Sequence, residues 1–458
     1  MTEEHRVRAE PRMSATEALM WAAERDPVMR SAFLNITFLD RPPDLDRFRS
    51  RLAKAAVVVP RLRQRVVDAG VGAPEFVSAP DFDLGYHIRH VALPAPGDDR
   101  RLLDFAAVLT EDAFDPARPL WQFTVVEGLE GGRAALLAKM HHTITDGVGG
   151  VRLSAMFIDL EPDAPEPDVG EGGEDASAAA GGGDGLFDTV GRMAAGAAGA
   201  VRGVVGVLAG GPSDAVETVR SLGRQLLVTE GAHSPLWAGR RSLRRRFETL
   251  SVDLGEVKAA AKALGGTVND AYVTGVAGGA AAYHRAKGVA VDELRMSMPV
   301  STRTEADKAA GGNSFAPARV LVPAGIEDPK ARFEAVRERL GVAKGERALA
   351  LADSFAGVLT SLPTPLVVRM ARRQVETVDF AASNVRGAPF DLWVAGARVL
   401  ANHPMGPTAG TAFNATLLSY KESMDIGLNI DPAAVDDPVL LRDAIAESLA
   451  ELVAAAHR

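Results

Sequence analysis

The chain of 458 residues contains no cysteine. That absence rules out a disulfide framework, a thiolate nucleophile and a cysteine-ligated metal, and it suits a reducing cytoplasm. Positive charge is not in excess: 51 Lys and Arg against 60 Asp and Glu leave a net charge of −9, the opposite of a nucleic-acid footprint. No apolar core follows the charged opening MTEEHRVRAEPRMS, so no secretory signal is expected. Nor is there an uninterrupted hydrophobic run long enough to span a bilayer. The nearest, Met193 to Gly211, is mostly Ala and Gly, is broken by Arg202, and reads as a mobile or surface-lying segment. The G-x-S-x-G elbow of serine hydrolases is also missing, which leaves a hydrolase without an evident nucleophile.

What is present begins with size. The length favours two domains of roughly 200 residues each, and the balance of 47% apolar to 24% charged residues is that of a soluble globular protein. The seam is marked by a change of character. Glu161 to Gly185 is proline, glycine, alanine and eight carboxylates without Lys or Arg, too little apolar surface to order itself, and reads as a flexible linker. Leu186 to Ala238 is weakly helical and reads as a crossover. The expected division is therefore a domain over 1–160, a linker and crossover over 161–238, and a second domain over 239–458.

The stretch richest in chemistry is Lys139 to Gly150, KMHHTITDGVGG. It follows an apolar run, Ala134 to Ala138, that predicts a buried strand, and its glycines let the backbone turn sharply. Neighbouring side chains of an extended segment point to opposite faces, so one of His141 and His142 can face a cavity while the other packs. That geometry argues against a shared metal, and no H-x-x-E spacing nearby adds ligands. A neutral imidazole can instead take a proton from a hydroxyl or thiol. The bland alternative is a pair of structural histidines, the commoner outcome for a His pair taken at random.

Around this motif, Ser14 to Arg25 predicts a helix starting at Ser14, Ala32 to Leu39 a strand, Leu45 to Val57 an amphipathic helix, and Arg61 to Val67 an alternating strand. A helix is expected from Arg101 to Glu111. Pro119-Leu120-Trp121 leads into a strand, Gln122 to Glu127, joined through the turn Gly128 to Gly132 to the motif strand. A helix from Val148 to Leu160 should follow the motif.

In the second half, the strand Thr249 to Leu254 and the helix Gly255 to Leu264 lead to Thr267-Val268-Asn269-Asp270. A helix from Ala271 to Arg285 follows, rich enough in Ala and Gly to pack closely on a sheet, with Asn269 as a candidate N-cap. Strands are expected at Met296–Arg303, Asn313–Val322, Ala397–Ala401, Ala412–Ser419 and Asp425–Ile430. Helices are expected at Asp328–Ala343, Arg347–Val358, Pro365–Glu376 and Pro438–Ala456. Arg240, Arg241, Arg244, Arg245 and Arg246 form a dense basic cluster, either a solvated face or a site for anionic groups.

The pattern His-His-x-x-x-Asp-Gly, formed by His141, His142, Asp146 and Gly147, resembles the signature of the CoA-dependent acyltransferase superfamily, which includes chloramphenicol acetyltransferase and peptide-synthetase condensation domains. Other stretches choose the family. Pro119-Leu120-Trp121, Thr267-Val268-Asn269-Asp270, Met298-Pro299-Val300-Ser301 with Arg303, Gly312-Asn313 and Ser383-Asn384-Val385 resemble, in order and over nearly the full length, the bacterial wax ester synthase/acyl-CoA:diacylglycerol acyltransferases. Two departures leave the preferred alcohol open. Ser383-Asn384-Val385-Arg386-Gly387-Ala388-Pro389 stands where the family usually reads Ser-Asn-Val-Pro-Gly-Pro. The opening helix carries Glu17 where an Asp is common, and Met29-Arg30-Ser31 stands in place of the usual Met-His stretch.

The resemblance implies an α/β fold, a pseudo-dimer of two chloramphenicol-acetyltransferase-like sandwich domains with the active site in a tunnel between them. His142 would be the general base that deprotonates an alcohol for direct attack on an acyl-CoA thioester, with no acyl-enzyme. Asp146, followed by Gly147, would orient the loop through an arginine, for which Arg63 is the candidate by the likeness of Leu62-Arg63 to a Leu-Arg pair in condensation domains. Asn269 would hold the acceptor or the histidine. Asp270, Ser383, Asn384 and Arg303 would line the substrate site, and Pro119, Leu120 and Trp121 would be structural. Acyl-CoA is then a co-substrate, and no cofactor or metal is expected. The acceptor would be a fatty alcohol, diacylglycerol or both; the alternatives are a same-fold acyltransferase with a polyketide or other non-glyceride acceptor, and a non-catalytic lipid-associated protein. The arginine cluster would then meet a CoA phosphate or phospholipid headgroups. Such an enzyme would be cytoplasmic, peripheral on the inner membrane or on lipid droplets where its substrates reside.

Overall fold

The computed structural model describes residues 12–68, 73–144, 153–165, 234–301, 315–344 and 364–458. Most of the expected linker and crossover, and the helix expected over Arg347–Val358, lie outside the described residues.

Through the first half the order is α1 (Ala15–Ala23), β1 (Ala32–Leu39), α2 (Leu45–Val58), β2 (Gln64–Val67), β3 (Glu75–Ser78), α3 (Leu84–His87), β4 (Ile88–Ala92), α4 (Asp99–Glu111), β5 (Trp121–Glu127), β6 (Ala134–His141) and β7 (Ile158–Asp159). The second half supplies β8 (Arg246–Asp253), α5 (Leu254–Ala263), α6 (Val268–Ala286), β9 (Glu293–Ser301), β10 (Phe315–Pro323), α7 (Pro329–Lys344), α8 (Thr364–Val375) and β11 (Phe380–Arg386). It ends with β12 (Trp393–Val394), β13 (Ala397–Met405), β14 (Phe413–Tyr420), β15 (Ser423–Ile430) and α9 (Pro438–Ala456).

These strands form two mixed sheets, in the orders β4-β5-β6-β1-β13-β12-β7 and β10-β9-β11-β14-β15-β8, and β2 pairs with β3 apart from them. The fold is the expected α/β pair of sandwich units. The expected division at residues 160 and 239, however, is crossed: β12 and β13 belong by sequence to the second half and by hydrogen bonding to the first sheet, where β13 runs antiparallel to β1 with Leu34 opposite Met405. β12 in turn holds β7, with Trp393 opposite Asp159. In the described part of Val148–Leu160, residues 153–154 are helical as expected, and the chain then turns into that short strand, whose partner arrives from far along the chain.

The centre of the first sheet is buried on both faces, which is why all eight residues of β6 are buried. On one face, Ala134, Leu136, Ala138 and Met140 pack with Phe48 and Leu52 of α2. On the other, Ala135 and Leu137 pack with Leu102, Leu103 and Ala106 of α4, and with Phe247 of β8 and Met405 of β13. Alternation along the strand sends Lys139 and His141 to the α4 side.

Arg61–Val67 is only half strand. Pro60 opens a 3-10 turn over Pro60–Arg63 that seats Leu62 in the core, and extension begins at Gln64.

The arginine cluster is in large part a clamp between the halves. The Arg245 N–H donates to Glu111 Oε1 at 2.6 Å, and Arg246 Nε to Glu248 Oε1 at 2.8 Å. Arg100 of α4 reaches the same carboxylate at 2.7 Å. Arg240 and Arg244 are exposed.

The second sheet carries α5, α6, α7 and α9 in one core. The small residues of α6 serve helix packing: a Cβ on Gly279 would lie 2.5 Å from the Ile445 Cα of α9. Gly279→Ala should therefore cost about 1–3 kcal/mol through overpacking. Gly341, in α7 with nothing within 4 Å of such a Cβ, should gain up to about 1 kcal/mol as Ala. Opposite shifts in thermal midpoint for the two variants are the expected outcome; equal shifts would contradict this packing.

Candidate active site

The His pair sits where β6 ends against the start of β1. Ala32 lies opposite His141, and the His142 N–H donates to Ser31 O at 3.3 Å. The two imidazoles enter different surroundings. That of His141 is 1% exposed. Its Nδ1 accepts the Thr143 N–H at 3.1 Å and lies 2.8 Å from the Thr143 hydroxyl. The ring proton is thereby assigned to Nε2, which lies 2.9 Å from Glu24 Oε1. The half-buried His142 ring packs against Phe33, with centroids 4.8 Å apart.

Glu24 follows α1 and does two jobs. Besides facing His141 it accepts the N–H of Ser31, the residue whose carbonyl holds His142. Burial alone would raise its pKa, but the His141 ring, the Ser31 N–H and the Arg30 charge together hold it below the usual 4.5.

Arg61 supplies a second tie: Nη1 donates to Thr143 O at 2.8 Å and to Glu17 Oε1 at 3.0 Å, and the guanidinium lies 3.6 Å from the Phe76 ring centroid. Glu17 Oε2 accepts the Ser14 N–H at 2.8 Å, so the capping box of α1 also anchors the motif loop. Sequence reasoning named Arg63 as the partner of Asp146 and did not name the tie that Arg61 makes. Read as a strand, 61 and 63 share one face; in the 3-10 turn they part, and Arg63 is exposed with its guanidinium 5.4 Å from the Phe82 ring centroid. Asp146 and Gly147, with which Arg63 was to be linked, lie outside the described residues, as does Arg303.

Pro119-Leu120-Trp121 braces the motif strand from its other side. Leu120 O accepts the His141 N–H at 3.0 Å. Trp121 is fully buried, its indole donates to Leu62 O at 2.9 Å, and its ring stacks on His87 at 4.3 Å. Burial holds the His87 pKa below its usual value although its Nδ1 meets Trp121 O.

The second half contributes a separate polar group. Thr267, not Asn269, is the N-cap of α6, and the buried Asp270 carboxylate is spent on the cap, accepting the Thr267 N–H and hydroxyl at 2.8 Å each. Asn269 stands in the first turn, where Oδ1 accepts from Asn384 Nδ2 at 3.2 Å. The Ser383 hydroxyl donates to Thr416 Oγ1 at 3.1 Å, and Thr416 to Asn414 Oδ1 at 2.8 Å. Thr416 packs on Gly406, where any Cβ would come within 2.6 Å of its hydroxyl. Gly406 directly follows β13, which lies beside the start of β1, so Gly406, the near end of this group, stands about two strand spacings, ~10 Å, from β6. Thr416, Asn414 and Gly406 carried no signal in the sequence, since their proximity depends on where β13 inserts.

Against known proteins, the model of the wax ester synthase/diacylglycerol acyltransferase catalytic domain matches residues 13–272, and that of the WS/DGAT C-terminal domain matches residues 311–453. The chain belongs to the wax ester synthase/diacylglycerol acyltransferase family. A WS/DGAT relative, a putative diacylglycerol O-acyltransferase of Mycobacterium tuberculosis, is 35% identical over 460 aligned positions covering 97% of this chain and 93% of its own. The solved wax ester synthase/diacylglycerol acyltransferase of Marinobacter aquaeolei VT8 shares the fold with a TM-score of 0.65 at 21% identity, covering 98% of this chain and 100% of that one. The starter condensation domain of rhizomide synthetase, a mutant solved in complex with C8-CoA, aligns at a TM-score of 0.59 and 14% identity over 97% and 95% of the two chains. This WS/DGAT protein is an acyltransferase.

Because the folded pKa of Glu24 is depressed, its stabilisation is present above pH 4.5 and is lost as pH falls through the lower folded value. Glu24→Gln should cost about 1–3 kcal/mol at pH 7, and the gap from the parent protein should close below pH 4.5. Urea unfolding across that range checks both; a gap that widens in acid would refute the Glu24–His141 assignment.

Proposed function

We propose that this acyltransferase moves a long-chain acyl group from acyl-CoA to the hydroxyl of a fatty alcohol or diacylglycerol, with His142 as general base. What carries the reading is the divided surroundings of the His pair: the His141 ring is buried between Thr143 and Glu24, while the half-buried His142 ring lies against Phe33 at the end of a doubly buried strand. In the reaction, the His142 imidazole accepts the alcohol proton as the oxygen attacks the thioester carbonyl. The tetrahedral intermediate then collapses, the C–S bond breaks, and the imidazolium returns the proton to the CoA thiolate. The steps balance without a cofactor or a covalent enzyme intermediate.

Asp146 and Gly147 orient the loop, and Asn269, Asp270, Ser383, Asn384 and Arg303 belong to the acceptor side, Asp270 through its hold on the helix that carries Asn269. The acyl-CoA donor is favoured by family membership and by the C8-CoA complex of the condensation domain. A covalent alternative finds little support. Ser234 Oγ lies 2.7 Å from His284 Nε2, yet both residues are 0% exposed, and His284 Nδ1 faces Ala280 O with no carboxylate behind it. The condensation-domain likeness keeps a non-glyceride acceptor as the second reading. No described helix is long and apolar enough to cross a membrane. The proposed place of action is cytoplasmic, at the surface of the bilayers or lipid droplets that hold the acceptors.

The test is CoA release from palmitoyl-CoA offered hexadecanol, dioleoylglycerol or no acceptor. Acceptor-dependent release that drops about 10²–10⁴-fold in His142→Ala is expected. Release that ignores the acceptor, or survives the substitution, removes His142 from the mechanism.

A further inference from the structure

Beside the motif strand lies a cavity of about 200 Å³ into which three cationic side chains converge: Arg89, Arg118 and Lys139. The reaction as written uses none of them.

Lys139 is only 5% exposed, and its ammonium donates to Leu109 O and Asp112 O, both at 2.6 Å. Two of its three N–H bonds are thereby used. Arg118 lies 3.9 Å from the Tyr86 ring centroid and gives Nε to Asp115 at 3.3 Å; among the described residues its two terminal nitrogens meet no acceptor. Arg89 faces the Gln122 amide, whose oxygen, with the amide turned to suit its donors, accepts from Nε and one terminal nitrogen at 2.7 and 2.8 Å. The carboxylates of Asp112 and Asp115 also line the cavity and leave it one positive charge in excess, within a chain of net charge −9. Burial, then repulsion from Arg89 and Arg30 against the pull of Asp112 and Glu24, holds the Lys139 pKa down to about 8. An anion seated here would relieve that strain.

We propose that this cavity is a phosphate subsite, and that it takes the phosphate-bearing end of the acyl donor. The assignment rests on acyl-CoA being the donor. Of the two proposed substrate classes only the donor is an anion, since fatty alcohols and diacylglycerol carry no charge. Planar guanidinium forks beside a point-charge ammonium suit phosphate oxygens. The cavity lies at the His-pair end of the sheet: Lys139 shares its face of β6 with His141, two residues or about 7 Å further along, and His142 follows directly after the strand. The pantetheine arm, which separates thioester from phosphates in CoA, spans more than that distance, and Trp121 of the strand's brace forms part of the wall.

The experiment compares the parent protein with Arg118→Gln and with Arg89→Gln, the latter at an exposed side chain where misfolding is not at issue. Calorimetric titration with adenosine 3′,5′-bisphosphate and with inorganic phosphate reads the subsite directly. Steady-state kinetics with palmitoyl-CoA and palmitoyl-pantetheine read its use. Expected is a roughly tenfold loss of bisphosphate affinity in each variant, the size of one charge-assisted contact. The palmitoyl-CoA KM should rise by the same factor at unchanged kcat, with no change for palmitoyl-pantetheine. Undiminished bisphosphate binding in both variants overturns the subsite. Lost binding with an unmoved palmitoyl-CoA KM overturns its assignment to the donor and leaves a site for free phosphate. Should the parent protein bind the bisphosphate in this variant-sensitive way yet transfer no acyl group, the subsite stands and the acyl-CoA reading fails.

Discussion

The architecture depends on one pairing, that of β1 with β13. β1 takes β6 on one side and β13 on the other, so the strand that delivers the His pair and the strand that leads to Gly406 and Thr416 share a neighbour. Register is fixed by polar groups that cannot slip: Asn35 and Thr37 both donate to Asn402 Oδ1, at 2.8 and 2.6 Å, and the Asn402 N–H goes to Asp425 Oδ2 at 2.8 Å. A shift by one residue would strand these groups in a buried seam, where an unpaired hydrogen-bonding group costs on the order of 1–3 kcal/mol. Close contact with the second sheet follows, because β15 meets β13 at Gly427, where a Cβ would lie 2.1 Å from Pro404 O.

On that frame the chemistry is a matter of commitment. His141 is committed through both ring nitrogens and through its backbone N–H. The groups that commit it, Glu24 and Thr143, are themselves tied by Ser31 and Arg61 to the segments flanking β1 and β2. Positional precision at His142 therefore comes from its neighbours and from the strand behind it. On the proposed reaction, neutral acceptors and a charged donor would approach such a centre from differently charged surroundings: the Asn269, Asn384 and Ser383 group on one hand, the Arg89, Arg118 and Lys139 cavity on the other.

Local pattern made much of this legible. β1 and the final helix have the boundaries their apolar spacing predicts, and Ser14 caps its helix with Glu17 as partner. What stayed hidden depends on contacts between distant residues. The Arg61 tie depends on a 3-10 turn set by Pro60 and buried Leu62, which alternation alone reads as a strand. Capping of α6 by Thr267 was within reach, since Thr-x-x-Asp is a capping pattern, but the expected cap, Asn269, falls two residues too far along. The arginine cluster stayed open between a solvated face and an anion site because Glu111 and Asp104, which meet it, lie far off in sequence on α4, beside Glu248 of β8. A boundary drawn from composition had no means of detecting that residues 393–405 return to the first sheet.

That return also bears on how the molecule is made. When the first 160 residues have left a ribosome, β1 is paired on its β6 side only, and its other edge shows a row of open backbone groups of the kind that invites pairing with a stranger. Closure must wait until residue 405 has been synthesised, and it brings together positions more than 360 apart in sequence. Loop closure over such a span is slow. The two halves are therefore interdependent folding units: the first has no finished sheet of its own, and a fragment ending at the compositional boundary would carry an exposed, aggregation-prone edge.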